Sequence, residues 1–457
     1  MKVALKTLSA VSAAVMLLGT VSGCGSKKTV ADNVTTVSIW SGNTHSKDVD
    51  TARWKEWNET IGKEHGFYVD YQVKGGDSIS QVMELALKSG TAPDFVTGDM
   101  RKLAENGDIL AYDDIPGCED IIKGYKEQGL LEETRGMYNG KTYALPKSVS
   151  TLGLVYNRDM FKKAGIVDEN GEPTPPKTWA QVREYAKRLT NGPKEYGIVY
   201  PLKWGGWFNS DIACPAMSSV GFMDFNPVTG RFEYDGMKPA MEAIIGMYND
   251  GSVYPGADGM DNDSARALFA EGVVGMKFAF AFDVGVLNDQ FPAKCDWGVC
   301  PHPTYSEDVA YKQFSEYGYG SYINAHTKIP VERLAEFIKL REEQDSLEGY
   351  KNCMSIPIDI ESTKGVKPYV EKTGWEEFVK MADISMPRPL FPLQSFGGAE
   401  EPKTIFVNKI LKGEISVDEG IKLMNKSAND AMENYFSENA QDSIDFYKNP
   451  DWKPQKR

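Results

Sequence analysis

The sequence predicts an α/β protein in which mostly parallel sheets are covered by helices. Segments that alternate apolar and polar residues are followed by segments with apolar residues at helical spacing, and this order repeats along the chain. The chain has 457 residues, enough for two or three domains of about 100–200 residues each. Its 41% of hydrophobic and 25% of charged residues are ordinary for globular proteins and exclude a wholly disordered chain.

The first 23 residues differ in composition from the rest. Lys2 and Lys6 give a basic start, an apolar run at 15–18 follows, and small residues precede Cys24. This order is typical of a secretory signal peptide. A membrane-spanning helix would need about 20 continuous apolar residues, whereas serine and threonine interrupt this run. We therefore expect residues 1–23 to be removed from the mature protein.

The residues around Cys24 predict a lipid anchor. Val21-Ser22-Gly23-Cys24 resembles the lipobox of bacterial lipoproteins, in which the cysteine is lipidated and becomes the first residue. The alternative is an ordinary signal peptide with a chance cysteine. Two acyl chains would make attachment to the cell membrane stable where one would be marginal. The polar residues 24–33 would then form a lipidated tether for an extracytoplasmic protein.

Net charge and the arrangement of the cysteines argue against a nucleic-acid site and a metal site. The net charge of −14 argues against a nucleic-acid binder, which needs a basic face to displace counterions. Cys295-x4-Cys300-x-His302 suggests a metal site, but no further ligand is nearby, so incidental thiols in a buried strand are favoured. We predict no metal and no cofactor. Besides Cys24, five cysteines remain, and this odd number leaves at least one thiol unpaired.

The first part of the mature chain predicts strands and helices in alternation. The predicted strands cover 34–40, 69–73 and 93–96. The predicted helices, with apolar residues on one face, cover 51–64, 79–87 and 100–107. A β-α-β-α-β series of this kind predicts a mostly parallel sheet.

A second unit begins near residue 150. Its predicted strands and hairpin cover 152–156, 226–232 and 273–280, and its predicted helices cover 157–165, 179–189 and 264–271. Thr178 and Gln181 form a capping box at the start of the second of these helices. Towards the end of the chain, helices are predicted at 330–343, 401–411 and 417–426, with a further segment through Tyr435.

Five motifs, in this order along the chain, resemble those of one known family. They are APDFV at 92–96, LGLVYNRDMFKKAG at 152–165, P-x-x-T-W at 175–179, FAEGVVGM at 269–276 and GEISVDEG at 413–420. The last motif departs from the family pattern at Gly420, where alanine is usual. The chain resembles the extracellular solute-binding proteins of carbohydrate ABC importers, which include the maltodextrin-binding protein, over about residues 34–435.

The resemblance implies a type II periplasmic-binding-protein-like fold. In this fold two α/β lobes are joined by a hinge of chain crossings, and the ligand lies in the interlobe cleft. Lobe one would comprise 34–148 plus 322–384, and lobe two 149–321 plus 385–457. The crossings would fall near 147–152, 317–321 and 384–391. Gly318 and Gly320 could absorb the change of angle at the second crossing.

Side chains that follow the strands of lobe one are candidates for sugar binding. A sugar needs aromatic rings against its faces and hydrogen-bonding groups around its hydroxyl rim. Ligands of open α/β sheets lie beyond the carboxyl ends of strands, which makes Trp40 and Asn43 candidates. The family places an acid and often a base after the third strand, here Asp99 and Arg101. The alternatives are a helix cap for Asp99 and a solvated helix face for Arg101.

Lobe two and the second crossing supply the other candidates. Trp204 and Trp207 flank two glycines in a loop, which suits exposed rings; packing of this loop onto lobe two is the alternative. Phe282 and Asp283 follow a strand at which the family commonly presents an aromatic residue. The second crossing adds Tyr317 and Tyr319.

The mechanism implied by the resemblance is hinge closure. A carbohydrate that bridges both lobes would bind the closed form better and shift the population towards it. The closed protein, expected to be a monomer, would dock on the transmembrane permease subunits, whose ATPase partners supply the energy. The chain itself has no Gly-x4-Gly-Lys-Ser/Thr loop for ATP.

Other functions are weighed against this one. A lipoprotein glycosidase is disfavoured, since the sequence has neither a Gly-x-Ser-x-Gly elbow nor a His-Glu-x-x-His pair, and we expect no enzyme. The same fold could bind a peptide, a polyamine or a metal ion, although the family motifs and the tryptophan pair favour carbohydrate. A sensor lipoprotein that presents its ligand to a receptor kinase would share both fold and site.

Overall fold

The computed structural model describes residues 34–42, 47–74, 79–127, 130–133, 135–308, 310–358, 360–389, 391, 399–440 and 442–457. The predicted signal peptide 1–23, the tether 24–33 with Cys24, and the candidate Asn43 lie outside these residues. None of the helices described is both long enough and apolar enough to cross a membrane.

The strands are short except where they form the centre of a sheet. In chain order they are β1 Thr35–Ser41, β2 Phe67–Val73, β3 Phe95–Val96, β4 Ile109–Leu110, β5 Glu132–Glu133, β6 Gly136–Tyr138, β7 Lys141–Thr142, β8 Pro146–Ser150, β9 Leu152–Asn157, β10 Tyr196–Ile198, β11 Phe225–Asn226, β12 Arg231–Phe232, β13 Val274–Phe280, β14 Trp297–Cys300, β15 Gln313–Tyr319, β16 Tyr322–Asn324, β17 Ile356–Pro357 and β18 Ser385–Pro387.

The described residues form sixteen α-helices. In chain order they are α1 Lys47–Glu59, α2 Ile61–His65, α3 Ile79–Ser89, α4 Met100–Asn106, α5 Glu119–Glu127, α6 Arg158–Lys163, α7 Trp179–Leu189, α8 Gly205–Phe208, α9 Cys214–Ser218, α10 Lys238–Asn249, α11 Asn262–Ala270, α12 Asp283–Gly285, α13 Val331–Lys351, α14 Trp375–Lys380, α15 Pro402–Ile405 and α16 Val417–Glu438. Single π-helical turns occur at Asn209–Ala213, Val286–Gln290 and Phe406–Ile410.

The first sheet has the strand order β2-β1-β3-β16-β4. β1 runs parallel to β2 and β3, as the sequence predicts, but β16 lies antiparallel between β3 and β4. Helix α13 packs Phe337 against this sheet, with its ring 5.6 Å from that of Phe67 and 5.5 Å from that of Phe95. A segment from late in the chain therefore completes both the sheet and its core.

The second sheet has the order β10-β13-β9-β14 and is mixed rather than parallel. β13 runs parallel to β10, whereas β9 is antiparallel to both β13 and β14. The predicted hairpin is confirmed as β11 and β12, and the Thr178–Gln181 capping box is present. The two predicted helical segments from 417 to Tyr435 form one helix, α16, with an additional capping box between Ser416 and Glu419.

A four-stranded sheet with the order β17-β8-β15-β18 joins these two sheets; we call it the crossing sheet. Its strand β8 continues almost directly into β9, and β15 continues into β16. The register between β8 and β15 shifts between Gly318 and Tyr319. A Cβ atom on Gly318 would lie 3.0 Å from Oγ of Ser148. The glycine therefore permits the close approach of the two strands where the irregularity occurs.

Residues that follow α13 pack beside the second sheet. Trp375, Phe378 and Met381 share a buried cluster with Trp297 and Val299 of β14. The backbone carbonyl of Phe378 also accepts a 2.8 Å hydrogen bond from Oγ1 of Thr151. Residues 322–384 are predicted from the sequence to belong to lobe one, whereas this cluster packs members of 353–381 against the second sheet. The lobe boundaries stay a prediction.

The cysteines of the described segments form no disulfide. Burial raises the pKa of Cys300 to about 12, which keeps its thiol protonated. No group of three histidine, cysteine, aspartate or glutamate side chains among the described residues is placed to hold a metal ion.

Candidate functional site

The crossing sheet borders two cavities, one at each of its edges. The larger has a volume of about 970 Å³, lies beside β8 and β17, and extends to the end of β1; we call it the β1 cavity. The smaller has a volume of about 400 Å³, lies beside β15 and β18, and reaches the start of α4; we call it the crossing cavity. Both lie where parallel strands of the first sheet end, as the rule for open α/β sheets predicts.

The crossing cavity combines aromatic rings with charged side chains. Its lining includes Met100, Arg135, Glu316, Tyr317, Tyr319, Tyr322, Arg388 and Phe391. Burial raises the pKa of Tyr317 and that of Tyr322 to about 12, so both hydroxyl groups stay protonated and able to donate. The hydroxyl of Tyr319 donates to the carbonyl of Leu130 at 2.8 Å, which orients that ring.

Two arginines contribute positive charge to the crossing cavity. Arg135 is 8% exposed and donates from Nη2 to the carbonyl oxygen of Arg388 at 2.6 Å. The Nε and Nη2 atoms of Arg388 are buried without a nitrogen or oxygen partner, and the groups that act on this guanidinium are the thiol of Cys214 and the carboxylates of Glu316 and Asp224. A buried donor without an acceptor is unfavourable by about 1–3 kcal/mol. An acceptor supplied by a bound molecule would remove that penalty.

The β1 cavity contains one of the predicted binding residues, Trp40. The ammonium of Lys74 lies 3.5 Å from the centroid of the Trp40 ring, a cation–π contact that covers one face of the indole. Tyr71 lines the same cavity and donates to Oδ2 of Asp50 at 3.2 Å. Ser148 of β8 adds a small polar group from the crossing sheet.

The two candidates at the start of α4 make contacts within the protein. Asp99 is exposed and caps the helix, since Oδ1 accepts from the Lys102 amide at 3.1 Å. Arg101 donates from Nε to Glu105 at 2.9 Å and pairs through Nη1 with Oδ1 of Asp442 at 2.5 Å. The capping role of Asp99 is therefore observed, and Arg101 lies in an ion pair rather than on a solvated helix face. Direct contact with a solute stays a prediction for both.

Asp442 is the centre of a group that we call the α4–C-terminal cluster, with Arg101, Glu105, Tyr435 and Tyr447. Its side chain is 1% exposed, and Oδ2 accepts hydrogen bonds from Tyr435 at 2.8 Å and from Tyr447 at 3.0 Å. This cluster joins a helix beside the first sheet to the segment that follows α16.

The predicted loop around the two tryptophans is the start of a helix, because Trp204 precedes α8 and Trp207 lies within it. We call residues 204–207 the tryptophan loop; it presents one exposed ring and one packed ring. Trp204 is 66% exposed, whereas Trp207 is half-buried against the core of the second sheet. The two ring centroids lie 6.2 Å apart with an interplanar angle of 74°. A Cβ on Gly206 would lie 2.8 Å from the Trp204 ring, which explains the small residue there. Neither tryptophan is among the described residues that line the two cavities.

Phe282 and Asp283 differ in exposure despite being neighbours. Phe282 is 40% exposed and stacks on Phe280, with centroids 5.1 Å apart. The Asp283 side chain is 2% exposed, and it accepts from Nε of Arg266 at 2.7 Å and from the Phe280 amide at 3.0 Å. Both oxygens of Asp283 are thus engaged inside the protein, which argues against its predicted contact with a solute.

The structure brings only some of the candidates together. Tyr317 and Tyr319 share the crossing cavity, and Trp40 lies in the β1 cavity. The tryptophan loop and Phe282 follow β10 and β13, which are parallel and end at the same edge of the second sheet. Sequence reasoning did not select Arg135, Glu316, Tyr322 or Arg388. Of these, Arg388 lies in the predicted third crossing and Tyr322 directly follows the second, so their position at the hinge was an available signal.

Comparison with known proteins gives consistent matches. A family model for bacterial extracellular solute-binding proteins matches residues 46–340. A binding protein of Brucella abortus (strain 2308) is 26% identical over 242 residues, which is 52% of this chain and 56% of the relative. The sn-glycerol-3-phosphate-binding periplasmic protein UgpB of Pectobacterium atrosepticum is 39% identical over 93 residues, 20% of each chain. The chain thus spans about half the length of the first of these curated relatives and less of the second.

Solved structures share the fold at low sequence identity. The GacH receptor of Streptomyces glaucescens, studied unliganded and with acarbose, has a TM-score of 0.64 and 19% identity, over 88% of this chain and 99% of that chain. The sugar-binding protein MalE of Xanthomonas citri has a TM-score of 0.65 and 14% identity, over 90% and 100%. A chitin oligosaccharide binding protein has a TM-score of 0.62 and 16% identity, over 88% and 100%.

Proposed function

The chain belongs to the bacterial extracellular solute-binding proteins, and on that premise we propose that it captures a carbohydrate, an oligosaccharide in particular, for import. Membership of this family and the type II periplasmic-binding fold support a role as the solute-binding protein of an ABC transporter. The observation that carries the proposal is the crossing cavity, in which tyrosine rings from the crossing sheet lie beside hydrogen-bonding groups.

The chemistry of the crossing cavity suits a sugar. Tyr317, Tyr319 and Tyr322 offer flat apolar faces for the carbon side of a pyranose ring. Glu316 can accept hydrogen bonds from hydroxyl groups, and the protonated hydroxyls of Tyr317 and Tyr322 can donate them. We propose that Trp204, Trp207 and Phe282 extend this surface from the edge of the second sheet.

Closure about the crossing sheet would couple binding to transport. A carbohydrate that contacts both lobes would favour the closed form. A shift of the closed-to-open ratio from 1:99 to 99:1 needs about 5.5 kcal/mol of differential binding. The closed protein would then deliver its solute to the permease, while lipidated Cys24 would keep it at the membrane as a monomer. Nothing in this role requires catalysis, so we propose that the protein is not an enzyme. A sensor lipoprotein would use the same site and closure.

A phosphorylated polyol is the second candidate solute. The observation that favours it is the guanidinium of Arg388, whose buried Nε and Nη2 have no nitrogen or oxygen partner, together with the neighbouring Arg135. Arginine binds phosphate oxygens in a planar, bidentate way. Relatives that match part of the chain are named for sn-glycerol-3-phosphate binding. The same positive charge makes a polyamine a poorer fit than an anion or a neutral sugar.

A thermal-shift screen of residues 30–457 tests the proposal. The panel contains mono- and oligosaccharides, sn-glycerol 3-phosphate, short peptides and polyamines. A bound solute at 100 times its Kd stabilises the protein by about 2.7 kcal/mol. Stabilisation by a sugar supports the main proposal, and stabilisation by sn-glycerol 3-phosphate alone supports the second. A response to peptides or polyamines only would contradict both.

Trp204→Ala tests whether the tryptophan loop belongs to the site. We expect carbohydrate binding to weaken by about 1–3 kcal/mol because apolar contact area is lost, while the melting temperature stays unchanged because the ring is exposed. Tyr68→Ala, which removes a 39% exposed ring from β2, is the matched control and should bind as wild type. If Trp204→Ala and Trp207→Ala both bind normally, the loop is not part of the site.

A further inference from the structure

A lysine and an aspartate are buried together beneath the tryptophan loop. Lys277 lies in β13, in which all seven residues are buried, and is itself 2% exposed. Its ammonium donates to the carbonyl of Phe278 at 2.6 Å. Asp211 is 1% exposed and lies on the π-helical turn Asn209–Ala213. Unpaired charges are very rarely retained at this depth, because removal from water is unfavourable by several kcal/mol per ion.

The carboxylate of Asp211 is short of hydrogen bonds. Both of its oxygens are buried without a partner. Burial raises the pKa of Asp211 to about 7; Lys277 and Arg266 oppose this rise, and Asp283 adds to it. Burial likewise lowers the pKa of Lys277, against the attraction of Asp211 and Asp283. Asp283 and Arg266 form an ion pair, and its charges, together with that of Lys277, act on Asp211; we call these four residues the β13 cluster.

The β13 cluster links the two segments that carry the exposed aromatic side chains. The π-helical turn with Asp211 directly follows α8, which contains Trp207 and begins after Trp204. On the other side, β13 with Lys277 leads into Phe282. Asp283 and Arg266 tie the end of that strand to α11. The distance between the tryptophan loop and Phe282 therefore depends on how the π-helical turn is held against β13.

We propose that Asp211 and Lys277 are positioning residues that fix the tryptophan loop relative to Phe282 and so set the geometry of the solute-binding surface. This rests on the proposed function, in which those aromatic side chains contact the solute. Apolar pairs of similar volume often stabilise a core as well as a buried ion pair does. A π-helical turn is also a rare conformation that is frequent at functional sites. Position rather than stability is then what the charged pair supplies.

A double-mutant cycle separates positioning from stability. The variants are Asp211→Asn, Lys277→Met and the combination of both. We expect each single variant to bind maltotriose, the affinity probe, at least tenfold more weakly. The double variant contains no isolated buried charge, so its melting temperature should recover towards that of wild type while its affinity stays about tenfold reduced. Recovery of affinity together with melting temperature would overturn the proposal, because it would show a purely structural role.

Ile212→Val is the matched control. It loses one buried methylene on the same π-helical turn without a change of charge. We expect it to lose stability but to bind maltotriose within twofold of wild type. Tenfold weaker binding by this control would also overturn the proposal, since any perturbation of the turn would then suffice.

Amide hydrogen exchange gives a readout that does not depend on the solute. Without added sugar, amides of residues 204–213 should exchange at least tenfold faster in the double variant than in Ile212→Val. Equal exchange in the two proteins would overturn the positioning role. If wild type does not bind maltotriose, the proposed function fails for that sugar, whereas the exchange measurement still decides whether the pair holds the loop.

Discussion

The α4–C-terminal cluster and the β13 cluster both surround a buried aspartate, but they satisfy it differently. Asp442 accepts hydrogen bonds from Tyr435 and Tyr447 in addition to its ion pair with Arg101. Asp211 accepts none. Burial works to raise the pKa of Asp442, yet the hydrogen bonds from Arg101, Tyr435 and Tyr447 together lower it. For Asp211 burial prevails, and its pKa rises to about 7.

This difference shows how one chain uses buried charge for two purposes. A carboxylate whose lone pairs are occupied contributes to stability, because each charge-assisted hydrogen bond adds about 1.5–3 kcal/mol. A buried carboxylate that accepts no hydrogen bonds lowers the stability of the fold, so its presence suggests a role in positioning or chemistry. We therefore expect the α4–C-terminal cluster to hold the fold together and the β13 cluster to shape the site.

Lys277→Met should have the largest effect on stability. It removes the opposite charge of Lys277 from the surroundings of the buried Asp211, and such one-sided removals cost about 3–5 kcal/mol. The measurement is the free energy of unfolding from urea titration at pH 7. A loss below about 1 kcal/mol would show that Asp211 is already neutral and that Lys277 does not compensate a charge on it.

Asp442→Asn should have the second largest effect. The variant keeps the shape of the side chain but weakens its contacts with Arg101 and both tyrosines, so we expect a loss of about 1.5–3 kcal/mol. Tyr447→Phe, which removes one of these hydrogen bonds, should lose about 1 kcal/mol. If urea titration shows Asp442→Asn to be as stable as wild type, the α4–C-terminal cluster does not stabilise the fold.

The pH dependence of stability should distinguish the two aspartates next. Asp211 has a raised pKa in the folded protein, so its contribution is present below pH 4 and is lost as the pH rises towards 7. Asp442 has a lowered pKa, so its contribution is present above pH 4 and is lost only in stronger acid. The free energy of unfolding of wild type minus that of Asp211→Asn should thus decline as the pH rises from 5 to 7, with a slope of up to about 1.4 kcal/mol per pH unit.

Unfolding titrations of wild type and both variants at pH 5, 6, 7 and 8 check this prediction. The difference in free energy of unfolding between wild type and Asp442→Asn should stay constant over the same pH range. The Asp211 result reflects all the charges that face it, namely Lys277, Arg266 and Asp283. A flat difference for Asp211→Asn would contradict the assignment of a raised pKa.

Removal of an exposed ion pair should have the smallest effect on the free energy of unfolding, and it serves as the reference for the two buried clusters. Lys177 and Glu307 lie 3.2 Å apart, with side chains 68% and 48% exposed. Because exposed pairs contribute little, Lys177→Gln should change the free energy of unfolding by less than about 0.5 kcal/mol. A larger loss would mean that charge removal is unfavourable anywhere on this protein, and the two buried clusters would then not be special.

Much of the fold could be predicted from the sequence, because local patterns determine it. The alternation in β1, the apolar face of α7 and the Thr178–Gln181 capping box are all encoded within a few residues. The antiparallel insertion of β16 between β3 and β4 could not be predicted, since nothing near residues 322–324 specifies partners so distant in the chain. The two-lobed arrangement was predicted from the motifs that resemble the family, because periodicity alone does not indicate how strands and helices divide between lobes.

The site was harder to predict because its residues come together only through the crossings. Tyr317 and Tyr319 could be selected by their position at the hinge, and they line the crossing cavity. Arg101 has the residue type expected of a solute contact, yet it pairs with Asp442, a partner more than three hundred positions away. Lys277 resembles any polar residue in a strand until the fold shows that both faces of β13 are covered.

The position of β16 has a consequence for how the protein acquires its structure. More than two hundred residues separate Leu110 at the end of β4 from Tyr322 at the start of β16. At a synthesis rate of about 5–20 residues per second, β3 and β4 would wait roughly 10–40 s for the strand that lies between them. The amino-terminal half of the chain therefore cannot finish folding during its own synthesis. Until residues 322–324 have emerged, the edges of β3 and β4 stay unpaired, and we expect the nascent chain to bind chaperones there.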